Sequence, residues 1–263
     1  MWPAYVINLA DNAQRMKNVS SQLDAQGISH QRIEGVNGWN LPESEISQVY
    51  DKAANRRHAK HPLVKPEIGC YLSHIEAWKR IAEADAPGGF IFEDDFAADP
   101  SLAEKLTLLS ATQDKWDMVK LFSFDPDPPM TNTEPLGPYQ IGIPYRVPTC
   151  LIGYGLTTSG AKKLSERAIP FFRPVDEDQK FVWEAGLRVA LITPPPLIVG
   201  DQEAETGTIG SVRRASRSDR SALSQALHGL RYQLNYAINL RRHRRKNGIA
   251  RSLNFFAPDV VNP

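Results

Sequence analysis

The apolar positions of the first 200 residues alternate between short runs typical of buried strands and the three- to four-residue spacing typical of amphipathic helices. The apolar runs predict strands at residues 4–9, 28–33, 90–92, 116–122, 150–157 and 188–192. The helical spacing, with its capping and stop residues, predicts helices at residues 12–26, 66–85, from about 101 onward, 159–168 and 176–185. Strands that alternate with helices indicate an α/β domain with a mostly parallel central sheet.

Two stretches depart from this alternation. Residues 123–148 contain seven of the chain's 20 prolines, so we predict a long loop there. Residues 201–220 are polar and rich in Gly, Ser and Arg, which predicts a mobile segment, and the apolar spacing of residues 221–240 predicts a helix after it. We therefore divide the chain into a domain at residues 1–200 and, at residues 201–263, a mobile segment with a basic, partly helical tail.

Composition is ordinary, but charge is unevenly distributed. The chain has 263 residues, 41% of them hydrophobic, and a net charge of +1. Residues 210–251 contain eleven Lys or Arg and one acid, Asp219, while the remainder contains 20 basic and 29 acidic residues. The first residues have no basic region followed by a long apolar run, and Cys70 and Cys150 form no Cys-x-x-Cys pair. We therefore expect a cytoplasmic protein.

Three consecutive acids follow the predicted strand at residues 90–92. Glu93, Asp94 and Asp95 would repel one another at the end of a buried strand, and a hard divalent cation would relieve that repulsion. If the strand continues, Glu93 and Asp95 point to the same side. Such oxygen ligands, at the carboxyl end of a strand, suit Mg²⁺ or Mn²⁺ that also binds substrate phosphates. A solvated turn or a helix cap is the simpler alternative.

A segment one helix upstream makes this pattern specific. Residues 67–78 read Glu-x-Gly-Cys-x-x-Ser-His-x-x-x-Trp, and together with the acid triplet they resemble glycosyltransferase family 25. This family includes bacterial lipooligosaccharide galactosyltransferases and collagen galactosyltransferases. Further matching blocks, in order along the chain, are Val6-Ile7-Asn8-Leu9, Arg15, Glu34-Gly35-Val36-Asn37-Gly38, Trp116-Asp117-x-Val119-Lys120-Leu121, Gly153-Tyr154-Gly155 and Pro174-Val175-Asp176. Asn37 departs from the family, which usually has an acid there, and this leaves the donor and acceptor specificity open.

The resemblance implies a single-domain, GT-A-like fold that binds nucleotide-diphosphate sugars and transfers the sugar with inversion at the anomeric carbon. The implied metal ligands are Glu93 and Asp95, which would hold Mn²⁺ or Mg²⁺. The implied donor-binding residues are Ile7, Asn8, Arg15, Ser73, Lys120 and Asp94. The implied reaction moves galactose or a related hexose from a UDP-sugar to a lipopolysaccharide-type or other glycan acceptor. For Arg15 solvation is the alternative role, and His74, which could also touch nucleotide or metal, could instead be a hydrogen-bonded core residue.

An inverting transferase also needs a base that removes the proton of the acceptor hydroxyl, and a second acid cluster offers candidates. Asp176, Glu177 and Asp178 stand at the start of a predicted helix. Acids favour such positions for capping and dipole reasons alone. The family block falls on Asp176, which we prefer as the base, and Asp178 is the competitor.

The basic tail suggests a partner of its own. Residues 241–246 contain five Lys or Arg, and Phe255 and Phe256 follow them. This combination suits an anionic membrane surface, so we expect peripheral attachment to the inner face of the cytoplasmic membrane. A nucleic-acid partner is not expected, because the sequence contains no recognisable nucleic-acid-binding module and no aromatic residues among the charges. A solvated tail is the alternative.

Two other functions compete with an active transferase. One is a catalytically silent relative that binds a sugar nucleotide or acts as a scaffold, since a fold does not fix an activity. The other is a metal-dependent phosphohydrolase, which also needs clustered acids. Retention of Asp176 and of all three acids at 93–95 favours the transferase.

Overall fold

The computed structural model describes residues 1–112, 114–200 and 222–246. The strands are β1 (Ala4–Asn8), β2 (His30–Glu34), β3 (Gly88–Glu93), β4 (Phe96–Ala98), β5 (Met118–Lys120), β6 (Met130–Leu136), β7 (Tyr139–Pro144), β8 (Gly153–Thr157), β9 (Val189–Thr193) and β10 (Leu197–Val199). The helices are α1 (Ala13–Ala25), α2 (Glu43–Val49), α3 (Lys52–His58), α4 (Lys65–Glu83), α5 (Leu102–Ser110), α6 (Thr158–Arg167), α7 (Val175–Asp178), α8 (Val182–Ala185) and α9 (Ala222–Lys246), and a 3₁₀ turn covers Gly38–Asn40.

Eight of these strands form one central sheet in the order β2-β1-β3-β8-β5-β9-β7-β6. The pairs β1–β2, β1–β3 and β5–β9 are parallel, whereas β8 and β7 run antiparallel to both of their neighbours. Six of the eight strands therefore point the same way. The predicted α/β class with a mostly parallel sheet is confirmed, and the GT-A-like assignment remains a prediction.

Side chains cover both faces of the sheet, and β3 illustrates how its sequence produces this. Ile91 packs into the core under α4 and α6, while Phe90 and Phe92 pack into the core on the opposite face. Successive residues of a strand point to opposite faces, so a strand buried on both sides reads as an uninterrupted apolar run. The run stops at Glu93, where β3 reaches the carboxyl edge of the sheet.

The long loop predicted for residues 123–148 is wrong over much of its length. Residues 130–144 form the hairpin β6–β7, which completes one edge of the sheet. Pro135 lies on the edge strand β6 and Pro144 ends β7, and both positions tolerate a residue that lacks an N–H group. Gly137, with a φ of 59°, makes the turn between the two strands.

The single helix predicted for residues 176–185 is also wrong, because two short helices, α7 and α8, take its place. Phe181, between them, has a non-helical backbone and directs its ring against Arg173, Tyr232 and Tyr236. Burial of this ring outweighs continuation of the helix. Gly186 ends α8 with a φ of 62°, a left-handed conformation that glycine adopts without strain.

Helix α9 packs against the sheet domain through one face. The buried residues Tyr232, Tyr236 and Leu240 cluster with Phe181. Near its end, the guanidinium of Arg244 lies 3.6 Å from the centre of the Tyr145 ring. In the part of the chain that the structure describes, no helix is both long and apolar enough to cross a membrane. The predicted mobile stretch at 201–220 and the pair Phe255 and Phe256 lie outside the described residues.

One close contact between α4 and the loop after β2 depends on a glycine. A Cβ at Gly69 would overlap the carbonyl oxygen of Val36 and lie 2.5 Å from the amide nitrogen of Gly38. The hydroxyl of Ser73, one turn later in α4, accepts a hydrogen bond from the Val36 amide at 2.8 Å. The absence of a side chain at residue 69 therefore allows α4 to hold this loop at the edge of the sheet.

We predict that Gly69→Ala destabilises the protein, although alanine favours a helix by about 1 kcal/mol over glycine. Overpacking of this kind typically costs about 1–3 kcal/mol, so the free energy of unfolding in urea should fall. Gly229→Ala in α9 is the matched control, because a Cβ there meets no atom within 4 Å. It should be neutral or stabilising. Equal stability of the two variants would contradict the proposed close contact.

Candidate active site

A cavity of about 500 Å³ opens at the carboxyl ends of β1 and β3, which are parallel neighbours in the sheet. Ligand sites in open α/β sheets are expected at such an edge, and the volume suits a small molecule. The cavity lining includes seven of the residues singled out in the sequence: Ile7, Asn8, Arg15, Ser73, Glu93, Asp94 and Asp95. Seven predicted site residues from four separate segments of the chain therefore meet in one place.

The acid triplet lies on a turn, because β3 ends at Glu93 and β4 begins at Phe96. The strand therefore does not continue through Asp95, but all three acids still line the cavity. Arg15 reaches them from α1, with Nη2 at 2.8 Å from Oδ1 of Asp94 and 3.3 Å from Oδ2 of Asp95. Asn8, at the end of β1, donates a hydrogen bond to Oδ2 of Asp94 at 2.6 Å.

Burial makes this concentration of negative charge unfavourable. It raises the pKa of Asp95 to about 7, and the neighbouring charge of Glu93 acts in the same direction. Burial also raises the pKa of Asp94, although Arg15 and the hydrogen bond from Asn8 oppose the shift. Crowded carboxylates of this kind hold their protons tightly, and a hard divalent cation can take the place of those protons. The donor set therefore fits Mg²⁺ or Mn²⁺.

The two polar residues of α4 have different surroundings. Ser73 is buried, and its hydroxyl donates to the Gly69 carbonyl at 2.8 Å as well as accepting from Val36. The hydroxyl thus supports the cavity wall. His74 is fully buried between Tyr154 and Glu93, with Nε2 3.0 Å from Oε1 of Glu93.

Lys120 does not line the cavity. It is fully buried at the end of β5, and its ammonium donates a hydrogen bond to the Cys150 carbonyl. Burial lowers the pKa of Lys120 to about 8, and the carboxylates of Asp176 and Glu93 partly oppose this shift. The ammonium therefore lies within electrostatic reach of both acid clusters.

The two candidate bases have different partners. Asp178 is buried and anchored, because it accepts a hydrogen bond from the Tyr71 hydroxyl at 2.8 Å and pairs with Arg173 at 2.8 Å and Arg167 at 3.3 Å. Asp176 is partly exposed; its Oδ1 accepts a hydrogen bond from the neighbouring Glu177 amide at 2.8 Å, and its Oδ2 accepts a longer one, at 3.4 Å, from the Cys150 amide. Asp178 thus ties α7 to α4, while Asp176 keeps access to solvent.

The sequence analysis assigns no function to two of the residues that line the cavity. Trp39 lines the cavity and is 52% exposed, which is unusual for an indole that packs only into a core. Cys70 also lines it, one helical turn before His74, and the ligand atoms of Cys70, His74 and Glu93 lie within 4.8 Å of one another. The i,i+4 spacing of Cys70 and His74 is the one sequence signal that could have paired them.

Comparisons with known proteins agree with the motif resemblance. Residues 1–133 match the family described as glycosyltransferase family 25 (LPS biosynthesis protein). Similar proteins include a glycosyltransferase 25 family member of Anopheles gambiae, 27% identical over 188 residues, and procollagen galactosyltransferase 1-A of Xenopus laevis, 28% identical over 188 residues. Inactive glycosyltransferase 25 family member 3 of Homo sapiens is 26% identical over 181 residues. Each alignment covers 66% of this chain but only 30% of the relative's length.

We predict that Asp95→Asn stabilises the metal-free protein, and more so at pH 8 than at pH 4.5. Because the folded state holds the Asp95 proton up to a pKa of about 7, whereas an unfolded aspartate releases it near pH 4, the carboxyl disfavours folding increasingly as pH rises between these values. Asparagine removes this penalty. Thermal unfolding at both pH values, in excess chelator, measures the effect.

Asp99→Asn is the control, and its effect on stability should have the opposite sign, because hydrogen bonds from Ser101 lower the pKa of Asp99. Its carboxylate stabilises the folded state above the unfolded pKa, and this contribution is lost as pH falls through the lower folded pKa. Asp99→Asn should therefore lose stability at pH 8. A stability gain for Asp95→Asn that is equal at both pH values, or a loss, would contradict the account of a buried charge.

Proposed function

The chain belongs to glycosyltransferase family 25, and we propose that it is an active, metal-dependent hexosyltransferase that transfers galactose or a related hexose from a UDP-sugar to a lipopolysaccharide-type or other glycan. The observation that carries this proposal is the convergence of Asn8, Arg15 and the three acids at 93–95 on one cavity. The galactosyltransferase names of relatives from Xenopus laevis and Mus musculus support a hexose donor.

The cavity supports a division of roles for the donor. Ile7, Asn8 and the loop at residues 35–39 form its walls, and the exposed Trp39 offers a ring face on which a nucleobase could stack. Asp94, fixed by Asn8 and Arg15, is suited to hydrogen-bond the ribose. Arg15 is the positive side chain nearest the acids in the cavity lining, and we assign it to the donor diphosphate.

Glu93 and Asp95 would hold the divalent cation, Mn²⁺ or Mg²⁺. When bound, such a cation neutralises negative charge that develops on the leaving diphosphate. Asn8 and Arg15 hold Asp94 at 2.6 and 2.8 Å, closer than the 3.3 Å contact of Arg15 with Asp95, so we assign the cation to Glu93 and Asp95. Lys120 is fully buried, and we assign it a supporting role through the Cys150 carbonyl instead of direct contact with the donor.

Asp176 is the proposed base. Its carboxylate would accept the proton of an acceptor hydroxyl while that oxygen forms a bond to the anomeric carbon. The bond from this carbon to the diphosphate oxygen breaks at the opposite side, and its electron pair leaves with the nucleotide. A single displacement of this kind inverts the anomeric configuration. Asp178 is a poorer base because two guanidinium groups and the Tyr71 hydroxyl already bind it.

A catalytically silent, donor-binding protein is the second candidate. The match to a human relative that is named inactive favours a silent protein. The sequence identity of this relative to the chain is similar to that of the galactosyltransferases. Retention of the acid triplet and of a solvent-accessible Asp176 supports the active alternative. Release of UDP from UDP-galactose and UDP-glucose, with and without glycan acceptors, separates the two. Acceptor-independent release alone would instead support a phosphohydrolase.

We predict that Asp176→Asn lowers the turnover of sugar transfer by about 10² to 10⁴, with donor affinity nearly unchanged, because a general base acts in the transition state. Initial rates of UDP release and calorimetric binding of UDP measure these two effects. Asp178→Asn is the matched variant, and it should mainly lower the melting temperature, because it removes the charge that pairs with Arg173. The opposite pattern would identify Asp178 as the base.

We also propose that α9 attaches the protein to an anionic membrane surface. Leu230, Leu234 and Ile238 are each at least half exposed, and their four-residue spacing places them on one face of the helix. Arg241, Arg242 and Arg245 lie three, four and seven residues after Ile238, so they extend the same face. Helix α9 contains no Asp or Glu.

A groove of about 510 Å³ beside this face supports the same partner. It lies between α3 and α9, and Arg57, His58 and Arg231 contribute to its lining together with Leu230 and Ile238. Cationic side chains next to exposed apolar ones are suited to a phosphate-bearing lipid headgroup and the acyl region beneath it. On its inner face, α9 reaches the second acid cluster, since the Tyr232 hydroxyl donates to Glu177 at 3.3 Å.

We predict that the double variant Arg241→Gln/Arg242→Gln binds anionic vesicles roughly 30-fold more weakly, since each cation near such a surface contributes about 1 kcal/mol. Leu234→Ser/Ile238→Ser should weaken binding in low and high salt alike, whereas the arginine contribution should vanish in high salt. Sedimentation with phosphatidylserine-containing and neutral vesicles measures this, with Gln233→Ser as the control. Unchanged binding in both double variants, or tighter binding of RNA than of vesicles, would contradict the membrane assignment.

A further inference from the structure

A chain of hydrogen bonds runs from the core to the first acid of the triplet. The indole Nε1–H of Trp78 donates to the Tyr154 hydroxyl at 2.8 Å. The same hydroxyl lies 2.8 Å from Nδ1 of His74, and Nε2 of His74 lies 3.0 Å from Oε1 of Glu93. Trp78, Tyr154 and His74 are all fully buried. Polar groups so deep in the core must satisfy one another.

The direction of each hydrogen bond follows from the chemistry of the indole, which can only donate. The Tyr154 oxygen accepts the hydrogen bond from Trp78, so its own O–H must find an acceptor, and Nδ1 of His74 is its one remaining partner among the described residues. Nδ1 is therefore unprotonated. The neutral ring then carries its proton on Nε2 and donates it to Glu93, and every group in the chain is satisfied.

The alternative tautomer is unfavourable at two positions. With the proton on Nδ1, the Tyr154 oxygen would accept from both Trp78 and His74, and its buried hydroxyl proton would have no acceptor among the described residues. A buried donor without an acceptor is destabilising, because it has lost its hydrogen bonds to water and gained none in the protein. The bare lone pair of Nε2 would also face the Glu93 carboxylate at 3.0 Å. A doubly protonated ring would leave the same Tyr154 hydroxyl unsatisfied.

The position of the proton on the His74 ring determines whether this ring can bind a cation. The ligand atoms of Cys70, His74 and Glu93 lie within 4.8 Å of one another, a grouping that could hold a thiophilic ion such as Zn²⁺. Coordination through Nε2 needs the ring proton on Nδ1, where a metal-bound histidine normally donates to an acceptor. Here Nδ1 faces a hydroxyl that is itself obliged to donate. This chain of hydrogen bonds therefore opposes coordination of a cation by His74.

We propose that Trp78, Tyr154 and His74 form a buried relay that holds His74 as a neutral Nε2–H donor to Glu93, making His74 a positioning residue and not a metal ligand. The hydrogen bond fixes Oε1 of Glu93 against α4, and the other carboxylate oxygen would be the one to hold a cation. The inference rests on the proposed cation role of Glu93. The relay is a property of the fold that does not depend on a cation. An experiment can therefore contradict the relay without contradicting the cation role of Glu93, and the reverse.

The first test reads the tautomer directly. Long-range ¹H–¹⁵N correlation spectra of the full chain, with the His74 signals assigned by their loss in His74→Gln, should identify an unprotonated Nδ1 and a protonated Nε2. Tyr154→Phe should weaken this preference and produce a mixture of the two tautomers, while the fold remains, as judged by its amide spectrum. A wild-type ring protonated on Nδ1 would overturn the proposal. A proton that moves to Nδ1 when Zn²⁺ is added would also overturn it.

The second test compares two amides as replacements for the ring. Glutamine at residue 74 can place an N–H where Nε2 lies, whereas asparagine can place one only near Nδ1. Titration of Mn²⁺ in the presence of UDP, followed by electron paramagnetic resonance, should give a near-normal affinity for His74→Gln. Loss of a group that orients a metal ligand typically weakens affinity 10- to 100-fold, and we expect this for His74→Asn.

Equal weakening in His74→Gln and His74→Asn, with both variants folded, would contradict the positioning role. Tyr154→Phe should weaken Mn²⁺ binding less than His74→Asn, because the ring can still visit the Nε2–H tautomer. Absence of Mn²⁺ binding in the unaltered protein would instead contradict the proposed function. The tautomer measurement would then still decide whether the relay exists.

Discussion

The crowding of three carboxylates at the end of a buried strand is the constraint on which the site depends. Glu93, Asp94 and Asp95 leave the apolar core together, and burial opposes the ionisation of Asp94 and Asp95. Three elements each supply a compensating group: Asn8 from β1, Arg15 from α1 and His74 from α4. Asp94 and Asp95 share the guanidinium of Arg15, and a divalent cation would offset further negative charge of the triplet together with that of a donor diphosphate.

The fold brings these groups together through two close approaches. Parallel pairing of β1 with β3 sets Asn8 beside the triplet, since both strands end at the same edge of the sheet. Gly69 allows α4 to touch the loop after β2, and from the same helix His74 reaches Glu93. A third contact fixes the second acid cluster: Asp178 binds Tyr71 of α4, which holds α7, and therefore Asp176, next to the same helix. Helix α4 thus connects the acid triplet to the proposed base.

The sequence predicted the parts of this arrangement that depend on local pattern. The apolar run that stops at Glu93 and the helical spacing of residues 66–85 both reflect burial that is periodic along the chain, and the structure has both elements. The hairpin at 130–144 was missed because proline content is a local signal, whereas tolerance of Pro135 depends on its place at a sheet edge. The motif blocks named Ser73 and Lys120 but not their contacts, because those hydrogen bonds join residues 37 and 30 positions apart. The different surroundings of Asp176 and Asp178 likewise depend on partners, such as Tyr71, that are remote in sequence.

The central claim is that the acid triplet binds a divalent cation together with a nucleotide diphosphate. Calorimetric titration of UDP, in saturating Mn²⁺ and in excess chelator, tests this coupling most directly because it needs neither the donor sugar nor the acceptor to be known. The account predicts that Mn²⁺ lowers the Kd of UDP by about tenfold or more, and that Asp95→Asn abolishes the difference while the protein stays folded. A Kd that is the same with Mn²⁺ and with chelator would contradict it.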